Sequence, residues 1–369
     1  MKICHMTSVH DSLDDRIFLK ECVSLAEAGY ETYLVAFGDS SIKTGVNIVG
    51  VGEREESRLR RILFGAKKVY DEAIKIDASI YHFHDPELLP YGKKLKKAGK
   101  KVIYDSHEDV PRQIMAKEWI PKWLRVLVSN IFERYEKSVA KALDCVITAT
   151  PHIASEFEKW GANTEVVRNY PILQDIHGEN EDYFERENLV CYAGGLTEQR
   201  GITELIKAVA DTDMRLLLAG DIEETYQEEL GQLNGYKRTE FLGFLNRKQV
   251  EEMYNRSRVG LCVLRKTPNH VNALAIKLFE YMAAGIPIVC SNFPLWVEIV
   301  EENGCGICVE PGHSEKITEA IQYLLKNPEK AKRMGDIGKQ IVREKYNWDA
   351  ESKTLLVIYY SLENKKLGA

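Results

Sequence analysis

A chain of 369 residues, 44% hydrophobic and 9% aromatic, is long enough for two cores of ordinary size. With 50 Lys+Arg against 56 Asp+Glu and a net charge of −6, it is a poor match for a nucleic-acid binder. No run of about 18 apolar residues is present to cross a bilayer. The eight cysteines fall mostly inside apolar strand or helix patterns, as buried free thiols of a reducing cytoplasm do. Cys305-Gly-Ile-Cys308 is the one CxxC, and a single pair without further ligands is read as a short strand rather than a zinc site.

In chain order, MKICHMTSVHD has one Lys and then strand-like alternation, so it reads as a first core strand and not a signal peptide. Further strands are expected near 31–37, 46–51, 79–84, 101–105 and 144–148, with helices near 16–28, 58–75, 87–98, 121–142 and 151–159. That alternation predicts a parallel sheet with helical crossovers. After the Asn-Tyr-Pro and acidic segment at 169–186 the pattern starts again. Strands are expected near 189–193, 214–219, 239–242, 258–263, 286–290 and 306–309, and helices near 201–211, 223–233, 247–255, 275–284, 294–301 and 314–326. Two more amphipathic helices, about 328–345 and 348–365, add no strand. The fold class is therefore α/β with two doubly wound, Rossmann-like domains, 1–170 and 171–345, followed by a terminal helical segment, 346–369.

The first 170 residues are close to electrically balanced and the remainder is acidic. Two basic clusters lie in the first half: Arg54, Arg58, Arg60, Arg61, Lys67 and Lys68 among Leu59, Ile62, Leu63, Phe64 and Val69, and a second over Lys93 to Lys101. Solvated helix faces explain such clusters by default. A membrane surface is the other reading, because residues 111–142 add Trp119, Ile120, Trp123, Leu124, Leu127, Ile131 and Phe132 among Lys117, Lys122, Arg125 and Arg134.

Ligands of doubly wound sheets bind at the carboxyl ends of strands, so polar residues just past strand ends are the place to look for chemistry. The loop His10 to Arg16 follows the first strand and contains Asp14 and Arg16; it lacks the glycines of a dinucleotide fingerprint, which disfavours a dehydrogenase. His84-Asp85 and His107-Glu108 each close a strand, with a proline opening the following segment. His82 and His84 share one face of their strand, yet with no further ligand in view they do not make a metal site.

In the second half, Ala193-Gly194-Gly195 followed by Arg200-Gly201 reads as a loop that lets backbone approach a phosphate. The stretch NALAIKLFEYMAAGIPIV, Asn272 to Val289, packs an amphipathic helix, a Gly285 stop and a buried strand into one unit. A helix N-terminus near 275 with Lys277 and Arg200 can surround one diphosphate.

Taken together, YAGGLTEQRGI, LLLAGD, FLGFLNRKQVEEMY, VGLCVL, KLFEYMAAGIPIV and YNWDAESKTLLVIYYSL resemble the family 4 glycosyltransferases, retaining enzymes of the GT-B fold. YDSHEDVP and FHDPELLP resemble the bacterial surface-polysaccharide branch. The resemblance implies two Rossmann-like domains facing across a cleft, a nucleotide-sugar held mainly by the second, and an acceptor held mainly by the first. It also implies a final helix that crosses back to the first domain, no metal, and no cofactor beyond the UDP- or GDP-linked donor sugar.

By position, Glu280 matches the second Glu of the family's Glu-x7-Glu motif and would bind the ribose hydroxyls. Asn272 stands where the first Glu is expected. Arg200 matches the family's basic residue after the glycines, whereas Gly195 occupies the position of its companion Arg. Lys277 is then the second diphosphate cation, with Arg265 or Lys266 also in reach. His107 would contact the donor sugar, Gly243, Phe244 and Leu245 the base, and Leu274 and Ala275 the donor side of the helix start. Asp14, Arg16, His84, Asp85 and Glu108 are the acceptor-side set.

The expected enzyme is a hexosyltransferase acting on a glycan or lipid-linked acceptor in cell-surface polysaccharide synthesis. It is placed in the cytoplasm, on the inner face of a membrane if the basic helices attach there. The alternatives are a GT-B sugar-nucleotide epimerase and a non-catalytic partner that keeps the fold, the latter favoured by Asn272 and Gly195.

Overall fold

The computed structural model describes residues 1–54, 64–107, 109–117, 120–173 and 182–364, Ala116 by its backbone alone. Glu108, Trp119, Arg58, Arg60 and Arg61, all singled out in the sequence, lie outside the described residues. The chain divides into two compact units, Met1–Asn169 together with Asp349–Ala369, and Tyr170–Trp348.

The first unit is built on eight strands: β1 (Lys2–Asp11), β2 (Glu31–Phe37), β3 (Ser41–Lys43), β4 (Val46–Gly50), β5 (Ile80–Phe83), β6 (Lys101–Ser106), β7 (Cys145–Thr148) and β8 (Thr164–Val166). Their order is β3-β4-β2-β1-β5-β6-β7-β8. All pairings are parallel except β3 with β4. Central strands read as near-continuous apolar runs because helices cover both faces; Ile80, Tyr81, Phe83, Val102, Ile103 and Tyr104 are all buried. β3 and β8, three residues each, are absent from the expected strands: so short a stretch carries no readable alternation.

The helix expected near 16–28 begins with a π-helical segment, Asp15–Cys22, and becomes α-helical at Val23–Glu27. Its wider turn coincides with inward burial of three charged residues, Arg16, Lys20 and Glu21. Wide turns of this kind occur often at functional sites.

The second unit has six strands, β9 (Leu189–Ala193), β10 (Arg215–Ala219), β11 (Thr239–Gly243), β12 (Val259–Cys262), β13 (Ile288–Ser291) and β14 (Gly306–Val309). The order is β11-β10-β9-β12-β13-β14 and every pairing is parallel. Counted within the unit this is 3-2-1-4-5-6, the doubly wound order whose connections reverse direction between the first and fourth strands. The reversal therefore falls between β9 and β12.

Helix Ile276–Ala284 packs beneath that point. Tyr281 is buried, and its hydroxyl donates to the carbonyls of Leu261 (3.0 Å) and Cys191 (3.3 Å). Gly260 is required opposite it, since a Cβ there would stand 2.4 Å from the ring. At the helix C-terminus, buried Arg186 donates to the carbonyl of Ala284 at 2.9 Å, a cation where the helix dipole is negative. Fully buried Phe279, Tyr281 and Trp296 each contribute on the order of 1.5–3 kcal/mol of hydrophobic stabilisation.

Candidate active site

At the β9–β12 switch point the chain leaves β9 through Gly194, with φ +139°. A Cβ on Gly194 would lie 3.4 Å from the Lys277 Nζ, so the ammonium sits directly beside the glycine backbone. Lys277 is buried, and its Nζ stands 4.9 Å from the centroid of the Tyr192 ring, a cation–π position that fixes the charge without neutralising it. Arg200 closes a short 3₁₀ turn, Glu198–Arg200, and Gly201 at φ +75° begins the next helix, Ile202–Val209. Arg200 thus lies just ahead of that helix, separated from it by Gly201.

The charges of Arg200 and Lys277 act on common neighbours. Burial raises the Cys262 thiol to about 11 while both cations pull it down, and burial lowers His270 with both cations adding to the effect. Both positive charges accordingly act on the end of β12 and on the segment that follows it. Helix Ile276–Ala284 begins there with no side-chain cap on its first N–H groups, which favours an anion at that end.

Further along this helix, Glu280 is half-buried, and its Oε2 accepts from the Tyr254 hydroxyl at 3.0 Å. Tyr254 orients the carboxylate; sequence reasoning did not pick it out, because it is 26 residues away on the helix Arg247–Arg256. Ala275 is the residue preceding the helix. Leu274 packs against the core, and the Ala273 carbonyl is pinned by Trp296 Nε1 at 2.7 Å. Asn272 ends the short helix Pro268–Val271. Past β11, Gly243 turns with φ +64°, and Phe244 is 79% exposed while Leu245 is half-buried against the core. An exposed aromatic at a strand tip suits stacking with a base.

Arg265 departs from expectation. Its guanidinium donates to Glu204 Oε1 at 3.0 and 2.6 Å and to Glu198 Oε1 at 2.5 Å, so its charge is already matched by two carboxylates instead of being offered to a diphosphate. At Gly195 a Cβ would meet nothing within 4 Å; the place of the family's second Arg is open space.

In the first unit the sheet reverses between β1 and β5, and the histidine tips lie there. Asp85 is buried and accepts from Ser8 N–H (2.5 Å), Thr7 Oγ1 (2.8 Å), Val9 N–H (3.1 Å) and His10 Nδ1 (3.0 Å). Burial works to raise the Asp85 carboxyl, but these donors, His10 first, hold it below its ordinary value. His10 is partly desolvated, which lowers it; the Asp85 hydrogen bond and charge outweigh that and raise it overall. The imidazole keeps 34% of its side-chain surface exposed. His10 was visible in the first loop, but its pairing with Asp85 depends on β1 and β5 being neighbours.

His107 stands half-buried with its ring 5.5 Å from those of His84 and His10. Burial pushes it down to about 3, against the pull of Asp105. It is a neutral hydrogen-bonding group at physiological pH.

Three acceptor-side expectations are corrected. Arg16 and His84 are buried: Arg16 makes a two-pronged pair with Asp105 (3.0 and 3.0 Å) and donates to the Val167 carbonyl at 3.0 Å, and His84 faces His5 and Asp105. Asp14 caps the following helix, accepting from Arg16 N–H and Ile17 N–H at 2.9 Å each. All three build the floor of the strand tips rather than presenting groups to an acceptor.

Residues 18–170 match the family described as Glycosyltransferase Family 4, and residues 174–341 match Glycosyl transferases group 1. The chain belongs to the family 4 glycosyltransferases. Among relatives, this glycosyltransferase is 28% identical over 179 residues to an uncharacterised glycosyltransferase of Methanocaldococcus jannaschii, across 47% of this chain and 45% of that protein. It is 22% identical over 346 residues to the MMP alpha-(1->4)-mannosyltransferase of Mycolicibacterium hassiacum, across 87% of this chain and 80% of the relative.

Two solved structures share the fold. Sucrose-phosphate synthase from Thermosynechococcus elongatus superposes with TM-score 0.79 at 18% identity, over 99% of this chain and 100% of that one. Anabaena HepE in complex with UDP-glucose gives TM-score 0.75 at 17% identity, over 98% and 100%. The enzyme is thus a glycosyltransferase of the GT-B fold.

Proposed function

We propose that this glycosyltransferase moves a hexose from a UDP- or GDP-sugar, with retention of anomeric configuration, to a glycan or lipid-linked acceptor in cell-surface polysaccharide synthesis. The observation that carries the reading is Lys277 beside Gly194 at the switch point of the second sheet, with Arg200 acting electrostatically on the same Cys262 and an uncapped helix start alongside. Breaking a glycosyl–phosphate bond through an oxocarbenium-like state puts growing negative charge on the leaving diphosphate, so a preorganised cationic cradle is what the reaction demands. Two fixed side-chain cations can supply this without a metal on the diphosphate.

Glu280, held by Tyr254, binds the ribose hydroxyls, and Phe244 with Leu245 covers the base. Neutral His107 contacts the donor sugar as a hydrogen-bonding partner. The acceptor hydroxyl attacks from the face the diphosphate leaves, and a phosphate oxygen takes its proton. His10, steered by Asp85, is the polar group of the first unit available to the acceptor. HepE, solved with UDP-glucose, supports the choice of donor class.

Glu280→Ala tests the assignment: transfer from UDP- and GDP-sugars is expected to vanish while the fold is kept, and intact transfer sinks the proposal. Gly195 and Asn272 favour one other reading, a non-catalytic partner of the same fold. Slow hydrolysis of a donor by the purified protein separates the two, since only a catalyst shows it.

No described helix is long and apolar enough to cross a membrane. We place the protein peripherally on an anionic cytoplasmic membrane face, through the helix Lys122–Ala140. The exposed Trp123 on this helix supports that placement.

A further inference from the structure

Beneath the histidine tips of the first sheet, four buried side chains converge: His5 from β1, Glu21 from the π-helical segment, and His82 and His84 at β5 and its end. Parallel pairing sets His5 directly opposite His82, and alternation puts His84 on the same face. Glu21 Oε2 stands 3.9 Å from His5 Nδ1, 3.8 Å from His82 Nδ1 and 3.9 Å from His84 Nε2. Such separations are too long for hydrogen bonds. They are close to the ligand–ligand edges, about 3.3–3.6 Å, of four donors placed 2.0–2.2 Å from one tetrahedral ion.

We propose that His5, Glu21, His82 and His84 bind one zinc-class divalent ion, a structural site distinct from the donor cradle.

The surrounding contacts are those a metal site needs. Arg16 Nε lies 3.1 Å from Glu21 Oε1 as an ion pair, and Oε2, which has no hydrogen-bond partner among the described residues, is open to the ion. His84 Nδ1 lies 3.3 Å from Asp105 Oδ2, so its proton points to that carboxylate and the Nε2 lone pair points into the cluster. His5 Nε2 lies 3.0 Å from the Tyr359 hydroxyl, and its Nδ1 is 2.9 Å from His84 Nε2, a hydrogen bond that the ion would replace. Outer partners of this kind fix the tautomer of metal-binding histidines. The Tyr359 hydroxyl also stands 2.8 Å from His82 Nδ1, so His82 gives up that hydrogen bond when it joins the set.

Charge favours a cation as well. Arg16 balances one of the two buried carboxylates, Asp105 and Glu21, and leaves one negative charge to be neutralised. Three imidazoles and one carboxylate suit zinc better than magnesium or calcium, which prefer all-oxygen sets.

The test uses full-length protein freed of any affinity tag, grown in zinc-replete medium, with metal counted by mass spectrometry. About one zinc per chain is expected, and cobalt(II) exchanged into the site should show tetrahedral d–d bands. Glu21→Gln and His82→Gln should lose the ion, and His313→Gln, at an exposed histidine, should keep it. If the ligand variants do not fold, Tyr359→Phe retains all four ligands and should weaken zinc about tenfold. Folded wild-type protein that carries no zinc and gives no cobalt bands overturns the proposal, as does full zinc retention in folded Glu21→Gln.

Discussion

Lys277 and Arg265 are both cations of the second unit, and their surroundings give them different tasks. Lys277 rests on the Tyr192 ring and pairs with no carboxylate among the described residues, whereas Arg265 is clasped by Glu198 and Glu204. Lys277→Met is expected to lower kcat about 100-fold or more, the range for losing one preorganised charge-stabilising group. Arg265→Met should leave kcat within about threefold and instead lower the Tm, because Glu204, only 9% exposed, loses its partner. Steady-state kinetics beside a melting curve checks both, and a reversal of the two outcomes refutes the assignment. In the first unit, Asp85→Asn keeps the shape but removes the charge that steers His10. If His10 serves the acceptor, the acceptor KM rises about tenfold or the rate falls by a similar factor, with donor KM unchanged.

Elements were more legible than sites. The apolar runs of β5, β6, β9, β12 and β13, and the amphipathic helix stopped by Gly285, follow from local periodicity, so their places could be read directly from the chain. The glycine at 201 was legible as a turn, but its necessity was not. A Cβ there would lie 2.0 Å from the Val263 carbonyl, and φ is +75°, which only the folded β9–β12 junction imposes. Gly201→Ala is expected to cost about 2 kcal/mol or more of stability in a denaturant titration.

What stayed hidden depends on contacts between distant segments: Arg265 with Glu204 sixty-one residues earlier, Tyr254 with Glu280, and His5 with His82 through strand register. Glu136 is of this kind. It lies within a helix rich in exposed charge, yet it is buried and accepts from the Tyr104 hydroxyl at 3.0 Å. Burial pushes its carboxyl up to about 8 from 4.5. Between those values the folded chain holds a proton that the unfolded chain releases, so stability falls as pH rises from 4.5 to 8 and levels off above. Glu136→Gln should therefore match wild type near pH 4.5 and exceed it above pH 8, by about 5 kcal/mol at most. Equal melting temperatures at the higher pH would contradict this.

At the scale of the molecule, surface chemistry decides where the enzyme works. The helix Lys122–Ala140 exposes Trp123 (79%), Leu127 (54%) and Ile131 (58%), spaced four residues apart and so aligned on one face. Lys122, Arg134 and Lys137 are exposed on the same helix. Packing of Trp123 in the unit's own core, the bland account of that residue, does not fit such exposure. An apolar stripe bordered by cations suits an anionic bilayer, into which the side chains insert while the charges meet headgroups. A chain of net charge −6 would be repelled as a whole, so the proposed attachment rests on this local face and is expected to weaken as salt screens it. Co-sedimentation with phosphatidylglycerol-containing vesicles at low salt is expected for wild type. The double change Trp123→Glu and Ile131→Glu should reduce it about tenfold without lowering transfer to a short water-soluble acceptor. Wild-type protein that stays in the supernatant at low salt would remove the membrane from the proposal and leave the donor site untouched.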